Sequence, residues 1–388
     1  MNEISETNSK VSVMLWVKAA IMIIVPVVIS LIDPSAMGLE GITSSQQQML
    51  AIFFFAALSW IFELYPAWVT SIIVIAIIAL TDSDSAFMVF RHSGHPGQEL
   101  GEIIKSSKVL KSFGEPSIVL YIGGLVMALT ASKIGLDAKL ARAILHPFGK
   151  KPVNVLLGVM IATGILSMFM SDTATTALMI GMMTPVFASL GNDTNGKASL
   201  ALSVTFAALI GGMGTPVGTP PAMLAYSAIN DPEGLHMHLS FAKWMVIMIP
   251  LCFVLIFIAW RILIKIFPFT ATEIEVHFEN RASCRRDLII VVATYAITIL
   301  LWVTEGITGV KNSVAALVPV VILSVCGIFT SDDLKLLPWS VLWMFAGGLA
   351  LGSGMDDVGL SSFLIAKVPF GVMSPLFILV VSALICWG

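Results

Sequence analysis

Charge is scarce in this chain. Only 12% of its 388 residues are Asp, Glu, Lys or Arg, whereas a soluble domain carries about 25%. So few charges cannot cover a globule with polar surface, so most of the chain must be solvated by lipid. The 57% apolar content and a mean hydropathy of +0.95 point the same way. A formal net charge of −3 gives no sign of nucleic-acid binding. Cysteine is sparse too: Cys252, Cys284, Cys326 and Cys386 stand far apart without CxxC spacing. Three of the four lie in or beside apolar segments, so small core hydrophobes are a better reading than disulfides or metal ligands. The alternating apolar and polar pattern of a membrane β-barrel is absent as well. The N-terminal "MNEISETNSK" is acidic and polar, and about twenty apolar residues follow it. It reads as the lead into a first membrane helix, not a cleaved signal.

What is present is a series of apolar stretches. A helix needs about twenty residues to cross a hydrocarbon core of about 30 Å. Spans are expected near 13–32, 47–63, 66–81, 117–132, 153–170, 198–213, 242–266, 287–304, 312–329, 339–355 and 372–386. Tight turns at "ELYP" (63–66) and "TEGITG" (304–309) separate two of the pairs. The fold class is therefore an all-α polytopic membrane protein. Basic residues in the loops set its orientation. Lys133, Lys139, Arg142, Lys150 and Lys151 lie in one loop, and Arg261, Lys265, Arg281, Arg285 and Arg286 in another, whereas 34–45 and 230–241 carry no Lys or Arg. A cytoplasmic N-terminus puts both basic loops inside. The stretch "LDAKLARAILHPFGKKP" suits an amphipathic helix on the inner surface, and a solvated loop suits it equally.

The chain resembles itself. "YIGGLVMALTASKIGLDAKLARAIL" (121–145) aligns without gaps with "MFAGGLALGSGMDDVGLSSFLIAKV" (344–368), the second shifted by one. Gly123-Gly124-Leu125 then matches Gly347-Gly348-Leu349, and Gly135-Leu136 matches Gly359-Leu360, all at one common offset. Upstream, Trp60 and Glu63 match Trp302 and Glu305. The two glycine-bearing helices run in opposite senses by the topology above, so the repeats are inverted. Inverted repeats with interrupted helices describe secondary transporters, whose site lies near the midplane.

Two polar interruptions stand at membrane depth. In lipid, backbone that leaves the helix must be buried in protein or line a wet cavity. "MSDTATT" (170–176) offers hydroxyls that cap freed amides and reads as the tip of a re-entrant hairpin. Its helix N-terminal amides favour anions, and its carbonyl and hydroxyl oxygens suit a hard cation such as Na⁺. Ser167, one turn before Ser171, can add a ligand. Asp172 is the costly residue, since a carboxylate at the bilayer centre costs roughly 2.5–3.5 kcal/mol on insertion scales. It can serve as proton carrier, cation ligand or cap. The second interruption, "ALIGGMGTPVGTPPAMLAY" (208–226), has too many Gly and Pro for a continuous helix and reads as an unwound loop between half-helices. It lacks the Gly-Lys-Ser/Thr ending of a nucleotide loop. His92, His95, His236 and His238 read as surface residues, and Glu63 and Glu305 as structural groups at equivalent helix ends.

Together, "SDTATTALM", "IGGMGTPVGTPPAML" and the repeated "GGL…GL" helices resemble the divalent anion:sodium symporter (DASS) family of di- and tricarboxylate and sulfate transporters. The resemblance runs from about residue 47 to the end. It implies a scaffold and a transport domain, elevator-type alternating access, a homodimer in the cell's inner (plasma) membrane, and a small anion as cargo. By position, Ser167, Ser171, Asp172 and Gly212 would bind the cation, with Na⁺ at Ser167, Ser171 and Asp172. Asp172, Thr173, Gly214, Thr215 and Pro216 would face substrate. Na⁺ would be the coupling ion, and no cofactor or enzymatic activity is implied. The family typically has Asn where Asp172 stands, which exchanges an amide donor for a carboxylate.

The expected organisation is an N-terminal helix and scaffold over 1–116 and a transport part over 117–266, with its hairpin at 164–190 and unwound helix at 208–226. A cytoplasmic linker (267–286) and a second repeat (287–388) follow. By the repeat offset, a partner for Ser171 would fall near 395, past Gly388, so the second repeat is expected to stop before its hairpin. The expected function is cation-coupled transport of a dicarboxylate, citrate or sulfate. An antiporter that exchanges H⁺ or Na⁺ through Asp172, and a chain that does not transport, are the alternatives.

Overall fold

Apart from one isolated bridge between Ser83 and Ile104, all regular structure among the described residues is helical. The computed structural model describes residues 2–90, 95, 97–230, 237, 239–274, 284–367 and 373–387. In chain order the helices are α1 (Asn2–Leu31), α2 (Ser44–Phe62), α3 (Ala67–Thr81), α4 (Ser106–Lys111), α5 (Pro116–Lys133) and α6 (Leu136–Leu145). There follow α7 (Pro152–Ser167), α8 (Asp172–Ser189), α9 (Thr194–Gly212), α10 (Pro220–Asn230), α11 (Phe241–Ile266) and α12 (Arg285–Val303). The last are α13 (Glu305–Thr308), α14 (Asn312–Ala315), α15 (Leu317–Val325), α16 (Ser331–Lys335), α17 (Trp339–Asp357), α18 (Leu360–Lys367) and α19 (Pro375–Trp387).

Five stretches among the described residues are long and apolar enough to cross a bilayer, and α17 with α18, bent by 70°, makes a sixth if the pair is one span. This is a multi-pass membrane protein. The expected spans at 66–81, 153–170 and 312–329 are shorter apolar helices, and those at 198–213 and 372–386 are not among these six. The helix at 153–170 ends at Ser167 and is continued by a turn, and the stretch 312–329 is divided into α14 and α15. Hydropathy reads the same in both cases because a short buried helix and a membrane span differ in partners, not in composition. His92, His236 and His238 lie outside the described residues. Cys252 is buried, whereas Cys284 is exposed.

The helices group into two units, residues 1–115 with 338–388, and residues 116–337. In the first, α2 starts with a capping box: Thr43 Oγ1 accepts from the Gln46 N–H, and Gln46 Oε1 accepts from the Thr43 N–H at 3.1 Å. This satisfies two donors that a helix start leaves free. The core joins Met49, Ile52 and Ala56 of α2, Val74 and Ile78 of α3, and Ala350 and Leu351 of α17. α17 approaches α3 so closely that a Cβ on Gly347 would lie 2.6 Å from Ser71 Cα. At the ends of these helices Lys108 Nζ bonds Asp357 Oδ1 at 2.6 Å.

In the second unit, α7 and α9 pack along each other, joined by α8 and α11. Val159, Met160, Met183, Leu200, Val204, Ala207 and Ile256 form the core. A Cβ on Gly211 would lie 2.5 Å from Gly164 Cα, so the α7–α9 crossing admits glycine only. α5 packs on α14 and α15, where Ala316 Cβ lies 2.7 Å from the point a Gly123 side chain would occupy. Lys133 Nζ, at the end of α5, bonds Asp333 Oδ2 at 2.6 Å. Asp193, before α9, accepts from the amides of Gly196 (2.9 Å), Thr270 (2.8 Å) and Ala271 (3.2 Å). It thereby straps the chain that follows α11 to the base of α8 and α9. Burial alone would raise the Asp193 pKa, but these amides outweigh it and hold the group below its ordinary 3.8.

One pattern recurs across the sequence. The positions buried in α3 (Thr70, Ser71, Val74, Ile78) reappear, with the same spacing, as buried Ala315, Ala316, Pro319 and Leu323. The Trp60 indole N–H donates to the Ala67 carbonyl. Likewise the Trp302 indole N–H donates to the carbonyl of Asn312, which stands to Ala67 as Ala315 stands to Thr70.

Candidate cation and anion site

The first interruption is a four-residue turn between two helices. α7 ends at Ser167, residues 168–171 leave the helix, and α8 starts at Asp172 with Ser171 as its N-cap. Ser171 has extended backbone and its Oγ accepts from the Ala174 amide at 3.3 Å. Asp172 is the first residue of α8, where the positive end of the helix dipole favours a carboxylate. The hairpin thus has arms 152–167 and 172–189, and the stretch read as a span at 153–170 is its first arm with the turn.

The second interruption lies between Gly212 and Pro220. The chain leaves α9 at Met213 and re-enters a helix only at α10. Side chains from elsewhere hold it: the Trp244 indole N–H donates to the Met213 carbonyl at 3.0 Å, and the Thr215 hydroxyl donates to the Met168 carbonyl in the hairpin turn. Thr219 caps α10, accepting from the Ala222 amide at 3.3 Å.

These two breaks meet. Ser167 Oγ, fully buried, lies 2.8 Å from Asp172 Oδ1 and 2.8 Å from the Ala208 carbonyl. A hydroxyl carries one proton, so it can serve only one of these acceptors. A positive charge shared among the three oxygens removes the conflict. Close by, a Cβ on Gly212 would strike Asp172 and Thr219, and a Cβ on Gly218 would sit 2.9 Å from the Ser167 carbonyl and against that of Gly212. Main-chain oxygens therefore converge where glycine leaves room, beside one carboxylate and one hydroxyl. Such an all-oxygen set suits a hard cation. No group of three or more His, Cys, Asp or Glu is placed to hold a metal among the described residues.

Of the residues expected at the cation, Ser167, Asp172 and Gly212 are brought together, and Ser171 stands on the same turn with its hydroxyl engaged on Ala174. Of those expected at the substrate, Thr173 is exposed and Asp172 half-buried, whereas Gly214, Thr215 and Pro216 are buried. The Thr215 hydroxyl is occupied by the hairpin. Carbonyls of Ser167, Met168 and Ala208 were not foreseeable, because any residue supplies a carbonyl. Tyr121 of α5, 2% exposed and within electrostatic range of Asp172, was also not singled out. Its neighbour Gly124 packs on Val217 of the unwound segment, with 3.0 Å from the would-be Cβ to Val217 Cβ. The "GG" pair of the repeat was the available signal.

The chain is similar to the sodium-dependent dicarboxylate transporter SdcS of Staphylococcus aureus, at 28% identity over 351 residues for strain USA300. For strains bovine RF122 / ET3-1 and MSSA476 the identity is 29% over 351 residues. Each match covers 81% of this chain, which spans 63% of the length of these relatives. The family model described as the sodium:sulfate symporter transmembrane region matches residues 13–386. With nearly its whole length matched, the chain belongs to the sodium:sulfate symporter family, the divalent anion:sodium symporters, which are transporters and not enzymes.

Proposed function

We propose that this chain carries out Na⁺-coupled transport of a divalent organic anion across the cell's inner (plasma) membrane, with its N-terminus in the cytoplasm. The observation that carries this reading is the oxygen cluster of Ser167, Asp172, Ala208 and Gly212, where the hairpin turn meets the unwound segment. Na⁺ bound there balances the Asp172 carboxylate and offers net positive potential to an anion at the exposed α8 start, near Thr173. Gly214, Thr215 and Pro216 shape the segment behind it, and Ser171 fixes the first turn of α8. A dicarboxylate is favoured over sulfate because the named relatives are dicarboxylate transporters.

The same reading takes the chain as inverted repeats. The recurrence of buried positions in α3 and α14–α15, and of the two indole bonds, supports it. So does the correspondence of α5 with α17. Its buried Ile118, Tyr121, Gly123, Val126, Met127 and Thr130 match Leu342, Phe345, Gly347, Ala350, Leu351 and Gly354, all at the offset of the glycine pairs. In this reading α7–α11 form the moving part of an elevator, 267–286 is its cytoplasmic linker, and the protein works as a homodimer. The test is uptake of labelled succinate, citrate and sulfate into liposomes containing the chain. Succinate uptake that rises with an inward Na⁺ gradient is expected; uptake indifferent to Na⁺ would sink the reading.

A further inference from the structure

The unwound segment is held at both ends by a closed ring of side chains, and Asn312 is its hub. At one end Trp244 grips the Met213 carbonyl. At the other, α10 carries Tyr226, whose ring meets the Trp244 ring edge-on at 5.8 Å and 78°. Asn312 Nδ2 donates to the Tyr226 hydroxyl at 3.4 Å and to Glu305 Oε2 at 2.6 Å. The Asn312 carbonyl accepts from the Trp302 indole at 3.1 Å, and the Trp302 ring lies 4.7 Å from that of Phe241. Phe241 and Trp244 stand three apart on α11, on one face, which closes the ring.

Asn312 is 4% exposed, yet its Oδ1 has no hydrogen-bond partner. Leaving a buried acceptor unpaired is unfavourable, and the amide could relieve it by turning over. Glu305 forbids that, because a carboxylate accepts and requires the NH₂ side. The amide is therefore oriented by Glu305 so that its donors face Tyr226. In the corresponding place of the other repeat Ala67 stands where Asn312 does, and Glu63 takes a left-handed backbone with φ 50°. The Glu305–Asn312 pair therefore comes from the second repeat, whereas Tyr226 and Trp244, which hold the unwound segment, come from the first.

The geometry points to Glu305 and Asn312 as positioning residues that, through Tyr226 and Trp244, hold the 213–219 segment in register with the hairpin and so set the cation affinity of the cluster. This rests on the cation-site reading above.

The test measures binding of radiolabelled Na⁺ and thermal unfolding for the full chain in nanodiscs, as wild type, Asn312→Ala, Glu305→Ala, their double variant and Glu305→Gln. Each Ala variant is expected to weaken Na⁺ binding about tenfold, and the double variant to weaken it no further. Glu305→Gln keeps an acceptor oxygen and is expected to bind as wild type does. Lost thermal stability with unchanged Na⁺ affinity overturns the proposal, as do single effects that multiply in the double variant. Should Asn312→Ala fail to fold, equal affinities for Glu305→Ala and Glu305→Gln overturn it. Wild-type binding with indifferent variants refutes only the positioning role, whereas no Na⁺ binding by the wild type refutes the cation site as well.

Discussion

Lys108 Nζ lies 2.6 Å from Asp357 Oδ1, joining the short helix α4 to the end of α17. Its counterpart is Lys133 of α5 with Asp333 of α16, also at 2.6 Å. Asp357 occupies the position that matches Lys133 in the repeat, and Asp333 lies next to the position that matches Lys108. In the alignment of the sequence with itself, both lysines belong to the first of the two similar stretches and both aspartates to the second. Lys108 is 38% and Lys133 43% exposed, so each pair contributes about 0.2–1 kcal/mol. Charge reversal at Lys108 or Asp357 alone is expected to lower the unfolding temperature, and the swapped pair Lys108→Asp with Asp357→Lys to recover most of it. Independent, additive losses would speak against the pairing.

Gly211 sets the approach of α9 to α7, since a Cβ there meets Gly164. Gly211→Ala is expected to cost about 1–3 kcal/mol, the usual range for overpacking a tight core. Denaturant unfolding in detergent measures it, and a neutral result would show that the helices can separate freely.

Asp193 gives a pH signature at low pH. Its pKa is depressed, so its stabilisation is complete above the unfolded value of 3.8 and is lost as the pH falls through the lower folded value. Asp193→Asn should destabilise the protein at neutral pH and leave a shallower loss of stability on acidification below pH 3.8. Parallel wild-type and variant profiles in that range would contradict the assignment.

Asp82, just past α3 and 4% exposed, behaves in the opposite sense. Burial raises its pKa to about 8, against a lowering hydrogen bond from Ser45, and Asp82 Oδ2 has no partner. The unfolded chain loses this proton near pH 3.8 and the folded chain only near pH 8, so stability declines between the two as the pH rises. Asp82→Asn is expected to flatten that decline and to raise the unfolding temperature at pH 8. An unchanged pH profile would rule the group out.

Much of this was legible in the sequence because it depends on composition along the chain. Ser171 and Asp172 announced the turn, the Gly and Pro residues of 211–221 announced the unwound segment, and Gly123 and Gly347 announced the close helix contacts of α5 and α17. Glu305 reads as a structural group from sequence, and it pairs with Asn312. What the sequence hid depends on partners. Nothing in the apolar run of α7 shows that it stops at Ser167 to form a hairpin arm, or that α17 packs on α3 while α5 packs on α15. The oxygens of Met168 and Ala208 were invisible because they are backbone, and Asn312 because a single amide carries no periodic signal.

The oxygen cluster at the meeting of the two breaks is expected to bind Na⁺. Ser167 is the group whose single proton faces two acceptors, so it is the most direct point to test. Binding of radiolabelled Na⁺ to the purified full chain and to Ser167→Ala is the measurement. Binding by the wild type is expected, weakened by about tenfold or more in the variant, as fits loss of a hydrogen bond to a charged group. Equal Na⁺ binding by the two proteins would contradict it.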